Sequence, residues 1–105
     1  MWRISGNNLQ MAEGDYGLEL PITINGTTLS AADTIKITIK SAKNGSTIIE
    51  RDMIPDENTV KFTLTEADSA LLPVGCYAYS LDWYQDGNFM CNIIPCADLK
   101  VVDKA

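Results

Sequence analysis

Apolar and polar residues alternate with a period of two through most of this chain. Ile35, Ile37 and Ile39 alternate with Lys36, Thr38 and Lys40, and Val60, Phe62 and Leu64 alternate with Lys61 and Thr63. Tyr16, Leu18, Leu20, Ile22 and Ile24 alternate in the same way with Gly17, Glu19, Pro21 and Thr23. This is the pattern of strands buried on one face, so strands are predicted over residues 16–24, 33–41 and 60–64. Pro21 cannot donate to a ladder, and its amide position must face an edge, a bulge or a gap in pairing. Lys43-Asn44-Gly45-Ser46 reverses the chain into a further strand over 47–53. A two-residue turn there would put Ile49 on the face of Lys40, so a bulge or a longer loop is expected. Residues 2–8 read as a loosely held start, 9–12 as a short edge strand, and Leu29 as tucked under its own loop.

The last third of the chain carries the clearest long-range signal. Gln85-Asp86-Gly87-Asn88 separates two apolar and aromatic runs, and Asp-Gly supplies the positive φ angles of a type I′ turn. A two-residue loop pairs Gln85 with Asn88. Counting outward sets Trp83 against Met90, Leu81 against Asn92, Tyr79 against Ile94 and Tyr77 against Cys96, the set assigned to the core. Tyr84 with Phe89, Asp82 with Cys91 and Ser80 with Ile93 share the outer face.

Between these runs, Thr65-Glu66-Ala67-Asp68 has the hydroxyl-x-x-acid spacing of a capping box, and Pro73 stops the helical turn that it opens. Gly75-Cys76-Tyr77 follows. A tyrosine entering the penultimate strand after such a turn fits a tyrosine corner, its hydroxyl bonding back to the preceding connection. About seven short strands, one helical turn and frequent turn residues predict an all-β, immunoglobulin-like antiparallel β-sandwich. The cysteine pair and strand-centred tryptophan of antibody domains are missing from it.

Length and composition narrow the picture further. The 105 residues, 46% of them hydrophobic, suit one globular domain over 1–105. A formal charge of −6 with eight Lys and Arg opposes binding to phosphate backbones, so no nucleic-acid partner is expected. With no membrane-length apolar run and no basic-then-apolar leader, no membrane partner is expected either, and either the protein stays in the cytoplasm or a leader has been removed. Cys76, Cys91 and Cys96 are an odd set. The register holds Cys76 and Cys91 on the order of 15 to 20 Å apart and puts Cys96 on the opposite face, unless Pro95 marks a bulge that slides it beside Cys76. Three reduced thiols are expected.

The sequence has no histidine, which removes the commonest general base and metal ligand. The cysteine spacings fit no zinc pattern. The acidic pairs Glu13/Asp15, Asp56/Glu57 and Glu66/Asp68 fall in turns and match no calcium loop. No enzyme, cofactor or metal is therefore expected. Asn25-Gly26-Thr27 and Asn44-Gly45-Ser46 match the glycosylation triplet but are accounted for as turns.

The chain resembles the small immunoglobulin-like domains of bacteriophage tail and baseplate proteins, such as the N-terminal domain of the baseplate upper protein. The resemblance rests on Glu13-Gly14-Asp15-Tyr16, the strand from Asp33 to Lys40, and Val60 to Asp68 followed by Leu72-Pro73-Val74-Gly75-Cys76-Tyr77-Ala78-Tyr79. It departs at Ser80, where the family often has aspartate, and at Ile94-Pro95-Cys96. The resemblance implies a phage or prophage structural module with other virion or tail proteins, or further copies of itself, as partners. A stand-alone bacterial ligand-binding or adhesion domain is the alternative.

Where the partner docks is read from a breach of alternation. Phe89, Met90, Cys91, Ile93 and Ile94 make the final strand apolar on both faces, unlike a strand with only one face on its own core. Tyr84, Phe89, Cys91 and Ile93 are accordingly the candidate protein interface. The alternative is that residues 2–9 fold over this face.

Overall fold

The computed structural model describes residues 3–17, 19–25, 28–30 and 32–103. Among the described residues eight strands form two sheets: β1 (Arg3–Ser5), β2 (Asn8–Ala12), β3 (Glu19–Thr23), β4 (Asp33–Lys40), β5 (Thr47–Met53), β6 (Thr59–Thr63), β7 (Gly75–Gln85) and β8 (Asn88–Val102), with helix α1 (Glu66–Ala70) between β6 and β7. The larger sheet runs β1-β2-β8-β7-β4-β5, and β3 and β6 pair as the smaller one. The fold is an all-β sandwich. Ile35, Ile37, Ile39, Leu81, Leu99 and Val101 from the large sheet pack with Leu20, Val60 and Phe62 from the small one in a single buried cluster.

Strands with clear alternation follow the predicted pattern. β4 buries its three isoleucines, and each lies opposite a β7 residue of the core face: Ile35 opposite Trp83, Ile37 opposite Leu81, Ile39 opposite Tyr79. The register shift expected after Lys40 is present, because Ile39 pairs with Ile49 and Lys40 with Thr47. The extra residue keeps Ile49 buried. Pro21 pairs with Lys61 in a two-stranded sheet whose outer edges are open, which accommodates its missing N–H. Leu29 is buried under its loop, where the Asn58 side chain accepts from the Leu29 amide and donates to the Ile24 carbonyl.

Other expectations are corrected. Of the strand predicted over 16–24 the described residues show Glu19–Thr23; Tyr16 is 55% exposed, and Gly17 bends the chain at φ 77° while its amide bonds the Leu64 carbonyl. Trp2, Leu18, Gly26 and Thr27 lie outside the described residues, and with them the first residue of the predicted 2–8 start and part of the 25–27 turn. The loosely held start contains β1, hairpinned to β2. β2 is interior rather than an edge, and it runs parallel to β8, Leu9 opposite Leu99 and Ala12 opposite Val102. The sandwich is therefore not wholly antiparallel. Residues 3–9 extend the sheet beside the far end of β8 and do not cover the outer face of its hairpin.

The connection from β6 to β7 is held locally, as its spacing predicts. The Thr65 hydroxyl accepts from the Asp68 amide at 3.1 Å, and Asp68 accepts from the Thr65 amide at 3.0 Å, which closes the capping box. Asp68 also meets Arg51 of β5 at 2.8 Å, while Arg51 donates to the Thr63 carbonyl at 2.9 Å. Arg51 thus ties the edge of the large sheet to the small one. Beyond the helix, the Tyr77 hydroxyl donates to the Pro73 carbonyl at 2.6 Å, the back-bond expected of a tyrosine corner.

Candidate functional site

The β7–β8 hairpin begins as its sequence dictates. Asp86 and Gly87 both have positive φ, at 51° and 81°, and Gln85 pairs with Asn88 and Tyr84 with Phe89. Beyond that point the register departs from simple counting at three places. Trp83 pairs with Cys91, Asp82 with Asn92, Leu81 with Ile94 and Tyr79 with Ala97. Met90, Ile93 and one residue of Pro95-Cys96 are the insertions on β8. Each bulge adds one residue on that strand and re-aims the side chains beside it. Pro95 does mark a bulge, yet Cys96 does not reach Cys76, which pairs with Lys100. All three cysteines are free and exposed.

The bulges redistribute the predicted faces. Tyr84 and Phe89 remain together on the outer side, their rings edge to face with centroids 5.6 Å apart. Phe89 is 54% exposed. Cys91 is exposed too, but the register sets it opposite Trp83 instead of Asp82. Ile93 is half-buried and packs against the core together with Ile94, so it does not join an outer apolar row. Met90, assigned to the core by counting, is 45% exposed. Asn92 and Cys96, also assigned there, are exposed. The apolar surface is a knob at the hairpin tip, built from Phe89, Met90 and Cys91 and backed by Tyr84.

What surrounds the knob is polar. One line across four strands reads Asp52, Lys36, Asp82, Asn92, with Asn92 donating to the Asp82 carboxylate. The Lys36 ammonium lies 5.0 Å from the centre of the Tyr84 ring, 3.5 Å from Glu50 and 3.9 Å from Asp52. Burial works against its charge, but Glu50 and Asp52 outweigh that and hold it above the ordinary lysine range. The cation over its face fixes the Tyr84 ring, against which Phe89 rests.

A buried carboxylate anchors the hairpin from behind, and sequence reasoning missed it. Asp33, 1% exposed at the head of β4, accepts from the Trp83 indole at 2.9 Å and the Ser30 amide at 2.7 Å. The indole first and then the amide hold its carboxyl below the ordinary range. The Asp86 amide donates to the Ala32 carbonyl, which pins the turn to the same loop. The available signal was Trp83 itself, since a half-buried indole N–H needs an acceptor. In Asp68, burial raises the carboxyl, but the Thr65 amide and Arg51 outweigh it and leave it below the ordinary range.

Among the described residues no group of three or more His, Cys, Asp or Glu side chains converges to hold a metal ion, and no helix is long and apolar enough to cross a membrane. Grooves lie between β5 and β6, lined by Arg51, Asp52, Asp56 and Lys61, and beside β1 and β2, lined by Ile4, Gln10, Cys76 and Lys100. In the first, Arg51 is engaged with Asp68 and the Thr63 carbonyl. No protein-family model matches the chain, and no curated protein matches it.

Proposed function

We propose that this domain is a non-catalytic docking module of a phage or prophage structural assembly, and that it engages its partner through the β7–β8 hairpin. The observation that carries this reading is the tip: Phe89 and Met90 are about half exposed on a hairpin pinned by Asp33 and by the Asp86 amide. An apolar knob on a rigid mount suits a preformed protein contact. The absence of histidine from the sequence and the structural engagement of Asp33 and Asp68 support a role without catalysis. The capping box, the tyrosine corner and the all-β sandwich support the resemblance to tail and baseplate domains.

The reading is tested on the genes flanking this one and on their products. Tail, baseplate or head genes are expected there. A purified flanking product should bind this domain, and Phe89→Ser with Met90→Ser should weaken that binding at least about tenfold with little change in the unfolding midpoint. Flanking genes unrelated to a virion, or binding indifferent to both substitutions, would overturn it.

A further inference from the structure

The end of the sandwich away from the hairpin carries a second surface. β7 runs eleven residues from Gly75 to Gln85, roughly 33 Å at the rise of a strand, in a molecule whose longest dimension is 41 Å. At the Gly75 end, the turn after β2, helix α1 and the Pro73 connection border a groove of about 360 Å³, whose lining includes Glu13, Tyr16, Glu66, Ser69 and Pro73. Its apolar part is open to solvent. Tyr16 is more than half exposed, and so are or nearly are Leu71 and Val74, which follow the lining residues Ala70 and Pro73 in the chain. Exposed apolar surface gathered around a groove marks a contact site.

Charge selects the occupant. Glu19, Glu50, Asp52 and Asp68 each meet a lysine or arginine, at 2.8 to 3.9 Å. Among the described residues Glu13 and Glu66 meet none. One oxygen of Glu13 accepts from the Val74 amide at 3.3 Å, and its other oxygen is left over. Ser69, in the same lining, is 5% exposed, and its hydroxyl oxygen is buried without a hydrogen-bond partner. A polar group left idle in this way carries a cost that a partner from outside removes.

An arginine answers each of these features. Its planar guanidinium stacks on a tyrosine ring, offers five N–H donors to carboxylate and hydroxyl oxygens, and is less strongly hydrated than an ammonium. A second copy of this chain is a poor occupant. Residues 87–97 of its hairpin are uncharged, its Lys36, Arg51 and Lys61 are already paired, and a net charge of −6 repels the two carboxylates.

We infer that this groove receives an arginine side chain of a partner protein, with apolar neighbours of that arginine resting on Tyr16, Leu71 and Val74. Together with the hairpin tip, the site gives the domain contacts at both of its ends. It is a different surface from the one in the docking-module reading and uses neither Phe89 nor Met90.

The probe is the blocked peptide acetyl-Leu-Arg-Leu-amide, titrated into the isotope-labelled chain and read by amide chemical shifts. Saturating shifts are expected at Gly14, Tyr16, Ala70 and Leu71, with a Kd of about 5 mM or tighter. The same peptide with citrulline, which keeps the shape and loses the charge, should bind at least about fivefold more weakly. Glu66→Gln should weaken the arginine peptide about threefold or more and leave the citrulline peptide unchanged. Glu13→Gln, which keeps an acceptor for the Val74 amide, should do the same. Phe89→Ser with Met90→Ser should leave the titration as it is, so failure of the hairpin reading and failure of this site are read separately. No saturable shift up to about 20 mM peptide, equal affinity for the citrulline peptide, or affinity untouched by both glutamine substitutions would overturn the inference.

Discussion

Residues 97–102 of β8 lie between β7 and β2, and Ala97, Leu99 and Val101 are buried. Residues 88–96 of the same strand have β7 alone as a neighbouring strand among the described residues, carry all three register shifts of the hairpin, and contain no fully buried residue. Both stretches are rich in apolar side chains, so hydrophobicity does not separate them. Pairing on two sides with a regular register converts apolar residues into core. Pairing on one side with bulges leaves comparable residues at the surface, where they serve contact with something else.

The largest expected contrast is between substitutions in the two halves. Leu99→Ala should cost about 2 to 5 kcal/mol in urea unfolding, as for a well-packed core leucine, while Met90→Ala should stay within about 0.5 kcal/mol. Comparable losses at both positions would break the distinction.

Arg51→Met removes the guanidinium from Asp68 and from the Thr63 carbonyl, and should cost about 1.5 to 3 kcal/mol in the same measurement. The acid limb sharpens this expectation. Asp33 and Asp68 both titrate below the ordinary range when folded, so as the pH falls the unfolded chain takes up protons first. Their contribution is complete above about pH 5 and is lost as the pH drops through about 4 toward the folded values. Asp68→Asn should flatten that limb. Asp33→Asn should flatten it too, and should alter Trp83 fluorescence, because this carboxylate holds the indole.

Smaller effects belong to the two turns that bound β7. Gly87→Ala meets no atom within 4 Å but places a Cβ at φ 81°, for a loss of about 1 to 2 kcal/mol. Tyr77→Phe removes the bond to the Pro73 carbonyl, which is accessible to water, so about 0.5 to 1.5 kcal/mol is expected. A loss too small to measure would show that the corner contributes little.

These regions also differ in how far the sequence discloses them. The capping box, the Asp86-Gly87 turn and the buried face of β4 are local patterns, and each appears as predicted. Counting outward from the turn fails after Tyr84 and Phe89, because a strand apolar on both faces has no alternation to fix its register. Met90 and Ile93 exchange places relative to expectation for that reason. The parallel pairing of β2 with β8 joins segments about ninety residues apart, and neither strand carries a mark of the other. Asp33 and Arg51 are single charged residues in ordinary strand contexts; their partners, Trp83 and Asp68, arrive only with the tertiary fold.

Amide hydrogen exchange along β8, measured on dilute protein, tests the central claim most directly. Leu99, Lys100, Val101 and Val102 should exchange only through global unfolding, while the amides of residues 90–94 and of Cys96 should exchange orders of magnitude faster through local opening of a strand held on one side. Equal protection from Asn88 to Val102 would contradict the account, because it would mean that the distal half of β8 is as firmly embedded as the half between β7 and β2.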